Sequence, residues 1–109
     1  MKDELAFGKR ADHAITTLYR LLVAASEDFG FDVDLSEGVL TVEFEKPPAK
    51  FVISPNDPAR QIWVSARAQS HKLDWDIVQN AFVLISTDQT LTALVQEALS
   101  RQLGEEVEL

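Results

Sequence analysis

The stretch FDVDLSEGVLTVEFE, Phe31 to Glu45, decides the fold. Two runs in it alternate with a period of two, the spacing at which successive strand side chains point to opposite faces. Phe31, Val33 and Leu35 stand against Asp32 and Asp34. Leu40, Val42 and Phe44 stand against Thr41 and Glu43. Between the runs, Ser36-Glu37-Gly38 reads as a tight turn, with Gly38 free to take a positive φ. The result is a hairpin with one face for a core and one for water.

Upstream the period changes to that of a helix. Ile15, Leu18, Leu22 and Ala25 recur at three- and four-residue steps, which places them on one stripe. The spacing predicts a helix from roughly Asp3 to Ala25, ending in SEDFG between Ser26 and Gly30. Asp3 and Glu4 suit the positive end of its dipole. Downstream, KPPA is expected to stop the second strand, because proline cannot continue a ladder. KFVIS reads as a short strand, PNDPA as a loop, and RQIWVSA, HKLDWD and AFVLIS as further strands. Ser86 and Gln89 match a capping box. A second helix is predicted from about Asp88 to Leu103, with Leu91, Leu94, Val95 and Ala98 buried and Gly104 as its stop. The tail EEVEL reads as frayed.

Helix, a run of strands on short turns, then helix implies an antiparallel meander with both helical stripes buried on the sheet. The expected class is α+β. It is a two-layer sandwich of one domain, 1–109, with two roughly parallel terminal helices on one face of an antiparallel sheet. The other face then meets water. In RQIWVSA, Ile62, Val64 and Ala66 share the core face, while Gln61, Trp63 and Ser65 share the wet one. Trp63 is the anomaly in that row. It serves either to cover its neighbours on the sheet or to contact another molecule, since tryptophan offers a large apolar area and one N–H donor. Trp75 shares a face with Leu73 and reads as core or core edge.

Length, at 109 residues, is enough for a real core without staples. The chain has no cysteine, which excludes disulfides, thiolate metal sites and a cysteine nucleophile, and fits a reducing, cytoplasmic setting. Ten basic against 18 acidic residues give a net charge of −8. That balance argues against nucleic acid and favours cations or a basic protein surface, solubility alone being the plain alternative. No apolar run is long enough to span a bilayer, so no membrane partner is expected.

The quoted pieces have a further property in common. ADHAI in the first helix, DVDLSEGVLTVEF, RQIWVSA, HKLDWD and LTALVQEAL together resemble the frataxin family, specifically its bacterial members. The resemblance runs from about Leu5 to Gly104 and implies the same two-helix, single-sheet sandwich. It also implies iron binding, a role in iron–sulfur cluster assembly, and two protein partners, a cysteine desulfurase and the cluster scaffold protein. A monomer that can oligomerise with iron is the expected state. The family's exposed tryptophan is matched by Trp63 and its neighbouring glutamine by Gln61. Gln61, Trp63 and Ser65 are thus the expected partner-binding residues.

The resemblance further implies iron on an acidic ridge of the first helix and first strand, where hard carboxylate oxygens hold iron exchangeably. Here the ridge is thinned, with Tyr19, Arg20, Val23 and Ala24 in the second half of the helix. Glu27, Asp28, Asp32 and Asp34 remain as the leading metal candidates, with Asp3, Glu4 and Asp12 after them. A solvated acidic edge is the alternative. Asp12 and His13 diverge by about 100° on a helix and make a weak ligand pair.

No nucleophile–base spacing and no glycine-rich phosphate loop is present, and no catalytic residue is assigned. The expectation is a non-enzymatic, iron-binding regulator of cluster assembly that docks on a desulfurase–scaffold complex. Two other readings stay open. One is an iron-storage or ferroxidase protein using surface carboxylates, and the other is an interaction module with no metal role.

Overall fold

The computed structural model describes residues 2–109, with side chains from residue 6 onward. Helix α1 spans Lys2–Phe29. It ends inside the expected SEDFG segment, with SEDF still helical and Gly30 as the stop. Gly30 takes a φ of 71°, and its N–H donates to the Ser26 carbonyl at 2.8 Å. Its buried stripe is longer than expected. Phe7, Ala11, Ile15, Leu18, Leu22 and Ala25 are all in the core.

Seven strands follow, β1 Asp32–Ser36, β2 Val39–Glu45, β3 Pro48–Asn56, β4 Gln61–Ala66, β5 Gln69–Asp76, β6 Ala81–Leu84 and β7 Gln89–Thr90. They form one antiparallel sheet in sequence order, a plain meander. The first hairpin has a two-residue loop, Glu37 and Gly38, with φ of 51° and 80°. Two successive positive φ values match the right-handed twist of the flanking strands. The register is the expected one. Leu40, Val42, Phe44, Ile62 and Val64 are buried, while Thr41 is half-buried and Glu43 exposed.

Proline interrupts the ladder less than expected. Only Lys46 and Pro47, joined by a cis peptide, form the turn. Pro48 opens β3 opposite Glu45, and Pro55 pairs with Ile62. Pro55 is tolerated because the last β2 pairing is Leu40 with Ile53, so β3 is an edge at Pro55 and no neighbour asks for its missing N–H. The β3 strand is therefore nine residues long, and Pro55 and Asn56 of the expected PNDPA loop belong to it.

Helix α2 is Leu91–Leu103. Its cap is Thr90, whose side chain accepts from the Ala93 N–H at 3.2 Å, rather than Ser86. Pairing of Gln89 and Thr90 with Leu84 and Val83 keeps those two residues extended, which delays the helix, and Ser86 sits in the β6–β7 turn. Leu91, Leu94, Val95, Leu99 and Gln102 are buried, and Ala98 lies at the edge of that stripe. Gly104 stops the helix with a φ of 70°.

The tail is not frayed. Val107 is in the core, its N–H donates to Ser100 Oγ, and the Leu109 N–H donates to Gln96 Oε1. Both helices and the tail thus share one apolar core with the inner face of the sheet. Gln102 is the only polar residue buried in it among the described residues. It accepts from Arg67 in the β4–β5 turn and donates to the Pro47 carbonyl in the β2–β3 turn, so α2 ties two sheet turns together. No helix among the described residues is long and apolar enough to cross a membrane.

Candidate functional site: the open sheet face

Burying one face of a meander under helices leaves the other uncovered, and the register then decides what stands beside what. On β4 the uncovered residues are Gln61, Trp63 and Ser65. Trp63 faces Ser54 of β3 on one side and Lys72 of β5 on the other. It is 38% exposed, whereas Trp75 is half-buried at the edge of the core.

The indole is held from both sides. Its Nε1 donates to Gln61 Oε1 at 3.0 Å. The Lys72 ammonium lies 5.0 Å from the ring centroid, within cation–π range. Gln61 is fixed in turn, because its Nε2 donates to Asp74 Oδ1 at 3.1 Å across the β4–β5 ladder. The four side chains make one chain of contacts, Asp74 to Gln61 to Trp63 to Lys72. An exposed ring with its N–H satisfied and its rotamer held loses little freedom on contact, the property of an interface anchor. Ser65 lies two residues on, exposed on the same face. The parts that sequence reasoning missed are Lys72 and Asp74. Alternation in HKLDWD places both on the outer face, but only the register puts them against Trp63 and Gln61.

The acidic candidates divide between two layers. Asp32 and Asp34 are exposed on the open face of β1, opposite Glu43 and Thr41. Glu27 and Asp28 are exposed on the last turns of α1, in the helical layer. Asp12 is exposed near the middle of α1, and the side chains of Asp3 and Glu4 lie outside the described residues. Glu43 joins Asp32 as a facing acid, with Lys50 on its other side. Among the described residues, no three carboxylate or imidazole groups converge to hold a metal ion. The acids form a spread negative field rather than a cage. They also blunt the free edge of β1, as charges do at the edges of natural sheets.

These features define a two-layer α+β sandwich with an open, largely polar sheet face that carries a pinned tryptophan. The Frataxin-like domain model matches residues 1–105, and the chain belongs to the frataxin-like family. It is similar to the protein named iron-sulfur cluster assembly protein CyaY from Ectopseudomonas mendocina (strain ymp), with 34% identity over 84 residues, 75% of this chain and 76% of the relative. The protein of the same name from Pseudomonas aeruginosa is 32% identical over 96 residues, 86% of this chain and 88% of the relative. The mitochondrial frataxin of Arabidopsis thaliana is 33% identical over 81 residues, covering 73% of this chain and 43% of that protein. The solved frataxin from Psychromonas ingrahamii has the same fold, with a TM-score of 0.74 at 23% identity over 96% of this chain and 95% of that one. Yeast frataxin aligns with a TM-score of 0.71 at 24% identity over 91% and 81%.

Proposed function

We propose that this chain is a non-enzymatic iron–sulfur cluster assembly factor that docks on a cysteine desulfurase–scaffold complex through the face around Trp63. The observation that carries this reading is the pinned, exposed indole of Trp63 on a largely polar sheet face. The names of the bacterial relatives supply the process. Gln61 and Lys72 order the ring before contact, and Ser65 extends the same row.

Iron is cargo in this reading, carried exchangeably on Asp32, Asp34, Glu27 and Asp28, with Asp12, Asp3 and Glu4 as further acids along the helix. Carboxylates that repel one another gain from a shared cation even without a preformed cage. The same field steers a basic partner surface, which speeds encounter more than it strengthens the final complex.

The test is direct binding of purified protein to a cysteine desulfurase, alone and with its scaffold, compared with Trp63→Ala. Loss of binding with an unchanged melting temperature supports the proposal. Equal binding by the two proteins overturns the docking face. Aerobic titration with ferrous iron separates the storage or ferroxidase reading, which requires oxygen consumption in step with added iron.

A further inference from the structure

A second place in the molecule has chemistry of the opposite sign. A crevice of about 430 Å³ opens between the first half of α1, the start of α2, the end of β5 and the start of β6. Its floor is apolar, made in part by Trp75, Phe82 and Leu91. Its rim carries Lys9, Arg10 and His13. Among the described residues, no carboxylate lines it. In a chain with 18 acids and 10 bases, a concavity lined by three basic side chains and, among the described residues, by no acid is a marked local reversal.

Three further features act in the same direction. The Arg10 guanidinium carbon sits 4.7 Å from the centroid of the Trp75 ring, which places the cation over the floor. The Nε1 atom of Trp75 is buried without a hydrogen-bond partner, a donor left over where buried donors are nearly always satisfied. The cap residue Thr90 and the first residues of α2, Leu91 and Thr92, contribute to the lining. The Thr90 side chain satisfies the Ala93 N–H, and the positive end of the α2 dipole adds to the field of the basic side chains.

We propose that this crevice binds a small organic anion, a phosphate or carboxylate attached to a short apolar group. The anionic end would meet Lys9, Arg10 and His13, and the apolar part would lie on Trp75 and Phe82. A volume in this range suits a compact ligand. The site belongs to the helical side of the sandwich, away from the Trp63 face, and does not depend on the docking reading.

Phenyl phosphate is a suitable probe, read by nitrogen-15 NMR of the intact protein. The expected result is a saturable shift of the Trp75 indole N–H and of the Leu91 and Thr92 amides, with the Trp63 indole unmoved. Inorganic phosphate should bind more weakly, and benzyl alcohol should give no saturable shift. Lys9→Glu reverses an exposed rim charge without touching the core, and should weaken phenyl phosphate binding by about tenfold, the equivalent of one charge-assisted contact. Arg10→Gln should do the same, its fold checked by melting. Absence of a saturable shift at millimolar phenyl phosphate would overturn the site. Equal affinity for inorganic phosphate, or a titration that Lys9→Glu leaves unchanged, would overturn the assignment of an organic anion held by these bases.

Discussion

Lys72 and Trp63 face each other across the β4–β5 ladder, with the ammonium 5.0 Å from the centre of the ring. The pair is exposed, so it adds little to folding and much to the shape that a partner meets. Trp63→Ala is expected to leave the melting temperature nearly unchanged and to weaken desulfurase or scaffold binding by about 1–3 kcal/mol. Lys72→Ala removes one support of the ring and should cost about 0.5–1 kcal/mol of the same binding. Calorimetric titration of each variant measures both. A loss of stability of the size of a core truncation, with binding intact, would show that Trp63 only covers the sheet.

The tail supplies a second expectation. Val107 is almost fully buried, and Ser100 Oγ receives its N–H at 3.0 Å. Removal of residues 105–109 should destabilise the domain by about 1.5–3 kcal/mol, the value of burying one such side chain. Ser100→Ala alone should cost about 1 kcal/mol by stranding that N–H. Denaturant melts of both variants check this, and an unchanged midpoint would mean that the tail contributes nothing.

The β4–β5 turn carries strain that can be relieved. Arg67 and Ala68 have φ of 51° and 63° in a two-residue loop without glycine. Left-handed conformations cost an ordinary residue about 1–2 kcal/mol. Ala68→Gly should therefore stabilise the fold by up to about 1 kcal/mol after the greater chain entropy of glycine is deducted. Thermal melts decide the sign.

Asp76 makes a pH-dependent contribution. Hydrogen bonds from the Gln79 side chain, then from the Gln79 and Val78 backbone N–H groups, hold its carboxyl below the usual aspartate range. A depressed carboxyl stabilises the fold above its unfolded pKa, and the contribution is lost as pH falls through the lower folded value. The β5–β6 turn should thus loosen below about pH 4, with amide exchange at Val78 and Gln79 rising first. In Asp76→Asn that acid-dependent rise should disappear.

For the acids, the measurement is amide NMR with ferrous iron under anaerobic conditions. Shifts should gather at Asp32, Asp34 and the last turn of α1, weaken with salt, and vanish when Glu27, Asp28, Asp32 and Asp34 become Gln and Asn. Survival of those shifts in the fourfold variant would place iron elsewhere, with Asp12, Asp3 and Glu4 next. Asp32→Asn should also relieve repulsion across the ladder from Glu43, raising stability by a few tenths of a kcal/mol at low salt.

Most of the architecture was legible because alternation and helical stripes are local signals. Asp32 to Glu45 alone fixes a hairpin and its faces, and Gly30 and Gly104 mark both helix ends. The misses are non-local. Ser86 has the pattern of a cap, but pairing of Gln89 and Thr90 with β6 moves the start of α2 to Thr90. EEVEL is mostly acid, and nothing in it announces that Val107 finds a place in the core. Gln102 looks like a surface residue until the two turns it joins are brought together. At the site, Trp63 and Gln61 stand out in one strand, whereas Lys72 and Asp74 acquire their roles only from the register. The resemblance suggests one acidic ridge at the first helix and strand, and the fold divides its acids between two layers.

The meander also has a consequence for the order in which the chain is built. Every strand pairs only with its neighbours in sequence, so each hairpin can close as soon as it leaves the ribosome, without waiting for distant segments. The 28-residue α1 is in the opposite situation. It is synthesised before the sheet, yet the surfaces that cover Phe7, Ile15 and Leu22 come from strands made later, and the helical layer closes only when α2 and Val107 arrive. During synthesis, then, the apolar stripe of α1 is the part of the nascent chain longest without its native cover, and it is there that a chaperone has the most to hold.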